Sequence, residues 1–194
     1  MTTTVGIKFA GGVVLGTDQR ATMGHFIATN SATKLAQIAP HIGLTLAGSC
    51  GDAQILIRYL KVEAKDYELR NGRPIPVEAL ATYTSNILHG AGGGLEVHLL
   101  IGGVDATGAR LFSFDSIGAI EESPFASTGS GSPGALGLIE DAMVQIDTPL
   151  EEEGAIEVAI RAIKSAMKRD SASGGEADVM IFTEEGMRHV QTAH

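Results

Sequence analysis

Residues 1–18 read MTTTVGIKFAGGVVLGTD, and this stretch decides the fold. Polar and apolar positions alternate through TTVGIKF (3–9), Gly11-Gly12 turns the chain, and VVLGTD (13–18) follows. Residues 3–18 therefore predict a β-hairpin. The threonines at its start support two readings. Threonine favours strands, so the first strand can simply begin early. Alternatively, removal of Met1 leaves Thr2 with an α-amine and a hydroxyl on one residue, a nucleophile and its base together.

Beyond the hairpin, HFIATNS (25–31) and IGLTLAG (42–48) continue the strand pattern. The period then changes. From Gly51 to Arg70, residues Ile55, Leu56, Tyr59, Leu60 and Tyr67 follow helical spacing, and Asn71-Gly72 is a helix stop. A second helix is expected after Pro76, with Val77, Leu80, Ile87 and Leu88 apolar, ending in GAGGG (90–94). Strands return in VHLLIGGVD (97–105) and ARLFSFD (109–115), around the turn Ala106-Thr107-Gly108.

Two more helices follow. One opens at Ser132-Pro133, with Ser132 as N-cap and Pro133 at the first helical position. The other opens at TPLE (148–151), where Thr148 caps, Pro149 takes the first position and Glu151 closes a capping box. Its apolar stripe is Ile156, Ile160, Ile163 and Met167. ADVMIFT (177–183), a turn at Glu185-Gly186 and a short last strand complete the chain. Strands, two helices, strands, two helices, strands is not the order of an alternating parallel sheet. It predicts an α+β fold, a four-layer αββα sandwich of two antiparallel sheets flanked by helix pairs. Neither a repeat nor a linker divides residues 1–194, so one domain is expected.

Composition bounds the function. With 44% hydrophobic and 19% charged residues the chain is globular. A net charge of −9 argues against nucleic acid and anionic membrane as main partners. The lone Cys50 excludes a disulfide framework and fits a reducing cytosol. No apolar run approaches the roughly 18 residues of a membrane span, and no signal-peptide layout is present. A cytoplasmic protein is expected. The six histidines (25, 41, 89, 98, 189, 194) lack metal-ligand spacing, so surface or core roles are expected and no metal or cofactor. Cys50 reads as a pocket-lining or buried thiol. TGSGSP (128–133) lacks the ending of a P-loop, and SATK (31–34) lacks the companion motifs of a β-lactamase. The acidic run 151–153 suits a helix N-terminus.

Amide hydrolysis by a terminal threonine needs a proton acceptor, a nearby cation and oxyanion donors besides the nucleophile. The α-amine, with a reference pKa of about 7.7–8.0, accepts a proton near neutrality. Asp18 and Lys34 are candidates for a carboxylate and the cation that it anchors; read in isolation, the same two residues are a solvated surface pair.

TTTVGI (2–7), GTDQRAT (16–22), TKLAQI (33–38), LAGSCGDAQ (46–54), ASTGSGSP (126–133) and RDSASGG (169–175) together resemble the β-subunits of the proteasome core particle, most closely the archaeal type. The resemblance runs from Thr2 to at least Val179, with the motifs in family order. It implies the N-terminal-nucleophile hydrolase fold and a threonine endopeptidase in which Thr2 attacks the peptide carbonyl with its own α-amine as base. By the same resemblance Asp18 and Lys34 set the electrostatics, Ser130, Asp170 and Ser173 orient the terminal amine, and the Gly48 N–H is the oxyanion donor. Arg20 matches a structural partner near the cleft. The backbones around Thr22, Gly48 and Cys50 match those that bind substrate as an added strand. Ala21, Ala32, Leu46 and Cys50 match the specificity pocket. These are small or apolar residues, so cleavage after large apolar residues is expected.

The implied partners are further copies in a seven-membered β-ring, a second β-ring, rings of α-subunits, an ATP-dependent unfoldase acting through the α-ring, and unfolded protein substrates. Many family members carry a propeptide ending in Gly, whereas here Met1 alone precedes Thr2; with Met1 retained the Thr2 amine is blocked. Two alternatives stand beside the active peptidase: a non-catalytic or immature structural ring subunit, and a six-membered HslV-type peptidase.

Overall fold

The computed structural model describes residues 2–144 and 150–191. The opening hairpin forms as β1 (Thr4–Phe9) and β2 (Gly12–Asp18), with Thr4 opposite Thr17 and Phe9 opposite Gly12. Next come a small ribbon, β3 (Ala21–Met23) and β4 (Phe26–Thr29), and then β5 (Leu35–Ala39) and β6 (Ile42–Gly48). Helices α1 (Cys50–Asn71) and α2 (Val77–Gly90) lead to strands β7 (Val97–Asp105), β8 (Gly108–Phe114), β9 (Ile120–Glu122) and β10 (Phe125–Thr128). Helices α3 (Ser132–Val144) and α4 (Glu152–Met167) and strands β11 (Ala177–Thr183) and β12 (Gly186–Gln191) follow.

Ten strands form two five-stranded antiparallel sheets, ordered β10-β1-β2-β11-β12 and β5-β6-β7-β8-β9. The sheets pack face to face through Val13, Leu15, Leu100, Leu111 and Phe182. Close approach requires Gly43, because a Cβ there would lie 2.4 Å from the Phe182 ring. Helices α1 and α2 cover the outer face of the β5–β9 sheet through Leu56, Leu60, Leu80 and Leu88. Helices α3 and α4 cover the other sheet through Ile139, Ala159, Ala162 and Ile163. The four-layer αββα sandwich expected from element order is the observed architecture.

Several local expectations need correction. Ile55 and Tyr59 of α1 are exposed, and the buried face is Ala53, Leu56, Leu60 and Ala64. On α4 the buried face is mainly alanine (155, 159, 162, 166) with Val158 and Ile163, while Ile156, Ile160 and Met167 lie at its margin. Helix α3 already includes Ser132, one residue before the start that the capping reading gives it. Glu151 occupies the N-cap of α4 with no side-chain capping bond; Thr148 and Pro149, read as cap and first helical residue, lie outside the described residues. Helix α1 stops as expected at Gly72 (φ 65°), whose N–H reaches the Glu68 carbonyl at 2.8 Å, and its N-cap is Ser49.

Candidate active site

The register of the first hairpin builds half of the site. With Thr4 opposite Thr17, Thr3 and Asp18 fall side by side. The Asp18 N–H donates to the Thr3 carbonyl at 3.1 Å, and the Thr3 N–H donates to Asp18 Oδ1 at 3.0 Å. On the other side β2 pairs with β11, Ala177 opposite Asp18, so the turn preceding β11 arrives at the same carboxylate. There the Gly174 N–H donates to Oδ2 at 2.8 Å and the Arg20 N–H at 3.0 Å. Lys34, placed just ahead of β5, donates from Nζ to Oδ1 at 2.7 Å. Asp18, with no exposed surface, therefore accepts from three backbone N–H groups and one ammonium. The surface-pair reading of Asp18 and Lys34 gives way to a buried pair. Burial pulls the Lys34 pKa below the ordinary lysine value; the Asp18 charge and hydrogen bond oppose this, with smaller help from Cys50 and Asp170.

A chain of hydroxyls forms the other half. Ser130 Oγ and Ser173 Oγ each donate to Asp170 Oδ2 at 2.6 Å. Ser173 Oγ also lies 2.6 Å from Thr3 Oγ1, and since its single proton goes to the carboxylate, the Thr3 hydroxyl is the donor. Desolvation alone would raise the Asp170 pKa, but the hydrogen bonds from Ser130, Ser173 and the Ala172 N–H together hold it below the ordinary carboxylate value. The loop between β10 and α3 has to come very close to the chain end. A Cβ on Gly131 would fall 1.9 Å from Thr3 Oγ1, and one on Gly129 (φ 90°) would fall 2.1 Å from the Thr2 carbonyl oxygen. The Gly131 N–H donates to that carbonyl at 3.3 Å.

Strand alternation sorts the three threonines. Val5 faces helices α3 and α4, and Thr4, hydrogen-bonded to Thr128 at 2.7 Å, faces the other sheet. Thr3 turns to Ser173, and the same alternation carried one residue further assigns Thr2, which is buried, to the face of Thr4. On that face a cleft of about 820 Å³ opens at the end of the sandwich, with Thr22, Ala47, Gly48 and Ser49 on one side and Thr128, Gly129 and Ser130 on the other. Gly48 has φ 110° and is exposed; a Cβ there would lie 2.2 Å from the Glu96 carbonyl oxygen.

The structure thus gathers Asp18, Lys34, Ser130, Asp170 and Ser173 around the first residues of β1, and brings Thr22 and Gly48 to the cleft wall. Arg20 bonds to Asn30 Oδ1 and the Ser171 carbonyl, both at 3.0 Å, and packs on Gly174, so its side chain ties down the 171–174 turn. Ala21, Ala32, Leu46 and Cys50 are outside the cleft wall: Leu46 packs toward the α1 and α2 side of its sheet, and Cys50, read as buried or pocket-lining, is exposed at the start of α1. Sequence reasoning missed Thr3, Gly131 and Gly174. His98, expected in a surface or core role, is exposed and lines the cleft beside Glu96. No group of three or more His, Cys, Asp or Glu suited to a metal occurs among the described residues. Among them, no helix is long and apolar enough to cross a membrane.

Two facing antiparallel sheets between helix pairs, with the chain's first strand ending at a cleft between the sheets, are the architecture of the N-terminal-nucleophile hydrolases. Residues 1–182 match the family model described as proteasome subunit. Similar proteins include three called proteasome subunit beta. That of Methanospirillum hungatei is 52% identical over 186 residues, covering 95% of this chain and 88% of the relative. That of Archaeoglobus fulgidus is 50% identical over 187 residues, covering 95% and 86%. That of Methanohalophilus mahii is 47% identical over 193 residues, covering 98% and 90%. The chain belongs to the proteasome subunit family.

Proposed function

We propose that this chain is a threonine endopeptidase subunit of a proteasome core particle, with Thr2 as nucleophile and its own α-amine as base. The observation that carries this reading is Asp18, which takes the Thr3 N–H and the Lys34 ammonium on one buried carboxylate and so holds a cation beside the chain end. The α-amine takes the proton of Thr2 Oγ1 as the oxygen bonds to the peptide carbonyl carbon. The carbonyl oxygen becomes an oxyanion facing the Gly48 N–H. Collapse breaks the C–N bond, and the proton held on the α-amine passes to the leaving amine. Water then adds to the ester, its proton returns through the α-amine to Thr2 Oγ1, and the acid product departs.

Ser130, Asp170 and Ser173 orient the amine, and Thr22, Gly48 and Cys50 supply strand-like backbone pairing for the substrate. Ala21, Leu46 and Cys50, each next in the chain to a residue of the cleft wall, and Ala32 favour a large apolar residue on the acyl side of the scissile bond. The subunit works as one domain in a seven-membered ring, stacked on a second such ring and on rings of α-subunits, and receives polypeptides unfolded by an ATP-driven partner.

The test is the intact mass of the assembled protein before and after exposure to a peptide epoxyketone, which forms a stable ring only with the hydroxyl and free amine of one terminal threonine. Loss of Met1 with one adduct on Thr2 supports the reading. A free Thr2 in assembled rings that takes no adduct overturns it.

A further inference from the structure

Two cleft side chains belong to neither the Asp18 nor the Asp170 network. On β7, Leu100 points into the core between the sheets, so His98 faces the same way, and Glu96, one residue ahead of the strand, lines the cleft beside it. The β6–β7 register puts His98 opposite Ala47, next to Gly48. The backbone of Glu96 is fixed: its carbonyl accepts the Ser49 N–H at 2.7 Å, and its N–H donates to Asp52 Oδ2 at 3.0 Å. The Glu96 side chain is exposed, and among the described residues lining the cleft it is the only carboxylate and His98 the only imidazole.

These two residues lie across β6 from Lys34, and His98 is on the sheet face opposite to that of Leu46. With the acyl half of a substrate on the Leu46 side, this wall is left for the half that departs. Resting on the peptidase reading above, we infer that Glu96 and His98 form a subsite for the leaving-group side of the substrate, one that favours a lysine or arginine side chain over a carboxylate. Glu96 supplies the counter-charge, with the His98 ring beside it in the same wall. The net charge of −9 favours the same sign of substrate.

The test uses the assembled protein and internally quenched peptides with one fixed apolar residue before the scissile bond and Arg, Gln or Glu at each of the first three positions after it. At low salt the ratio of kcat/KM for Arg over Glu is expected to reach about threefold or more at one position, the scale of an exposed ion pair, and to shrink as salt rises. Glu96→Lys is expected to reverse that order. Glu96→Gln, which keeps the size of the side chain and guards against a folding failure, is expected to flatten it. An order common to wild type and both variants, or no order in wild type, overturns the subsite while epoxyketone labelling still supports the peptidase. A wild-type protein that takes no adduct and cleaves no peptide overturns both.

Discussion

Lys34 Nζ stands 2.7 Å from Asp18 Oδ1, and both groups are withdrawn from solvent. Removing one partner strands the other, because three backbone N–H groups cannot replace a full counter-charge. Lys34→Ala is therefore expected to cost about 3 kcal/mol in urea unfolding. It should also slow peptide hydrolysis by roughly a hundredfold, at the low end of what a positioned proton-transfer system contributes. A variant within twofold of wild type in activity would remove Lys34 from the mechanism.

Thr2 and Thr3 are adjacent, but the proposed reaction gives them different roles. Thr2→Ala is expected to abolish both hydrolysis and epoxyketone adduct formation, while Thr2→Ser keeps a hydroxyl and an amine and should still form the adduct. An active Thr2→Ala protein sinks the nucleophile assignment outright.

Thr3 holds the hydroxyl chain through Ser173. Thr3→Val keeps the shape but removes the donor, so unfolding measurements should show a loss of about 1–2 kcal/mol, the range for one buried hydrogen bond and its stranded partner. Labelling of Thr2 by epoxyketone should slow without stopping. Unchanged stability together with an unchanged labelling rate would argue that the Thr3–Ser173 contact is incidental.

Gly131 leaves no space for a side chain, since its Cβ would stand 1.9 Å from Thr3 Oγ1. Gly131→Ala must shift β1 or the loop. We expect a cost of about 1–3 kcal/mol and a clear fall in kcat, whereas Gly137→Ala, with nothing within 4 Å, should cost neither. Equal behaviour of the two variants would refute the close-approach argument.

The pH dependence of Asp170 has a definite sign. Its folded pKa is lowered, so its contribution to stability is fully present above the ordinary carboxylate value and is lost as pH falls through the lowered one. Acid unfolding followed by circular dichroism should show Asp170→Asn with a weaker dependence on pH in that acid window and no new dependence near neutrality. The same acid profile for both proteins would show that the carboxylate is not coupled to folding.

Much of the architecture was readable because the opening hairpin, the stop at Gly72 and the β7–β8 turn each carry strong local signals. The short strands were not. In β9 all three residues, Ile120, Glu121 and Glu122, are exposed, so no alternation marks it, and β10 is only four residues long. The α4 stripe misled because alanine is weakly apolar: the isoleucines stand out in the sequence, but the alanines allow the helix to settle on β1 and β2. At the candidate site the residue types came with the motifs. What the motifs do not contain is the alternation at the chain end, which separates Thr3 from Thr2, and the β6–β7 register, which turns His98 into the cleft.

Asp18 collects its partners from positions 3, 20, 34 and 174, the last 156 residues further along the chain. Contacts of such long range require the intervening chain to close into a loop, at a cost in entropy. A partly synthesised chain without its turn at 170–175 lacks the Gly174 N–H that Asp18 accepts from and the Ser173 hydroxyl that bonds to Thr3. If the chain end is the nucleophile proposed above, it emerges first during synthesis and gains these partners only when the last third of the chain has joined it.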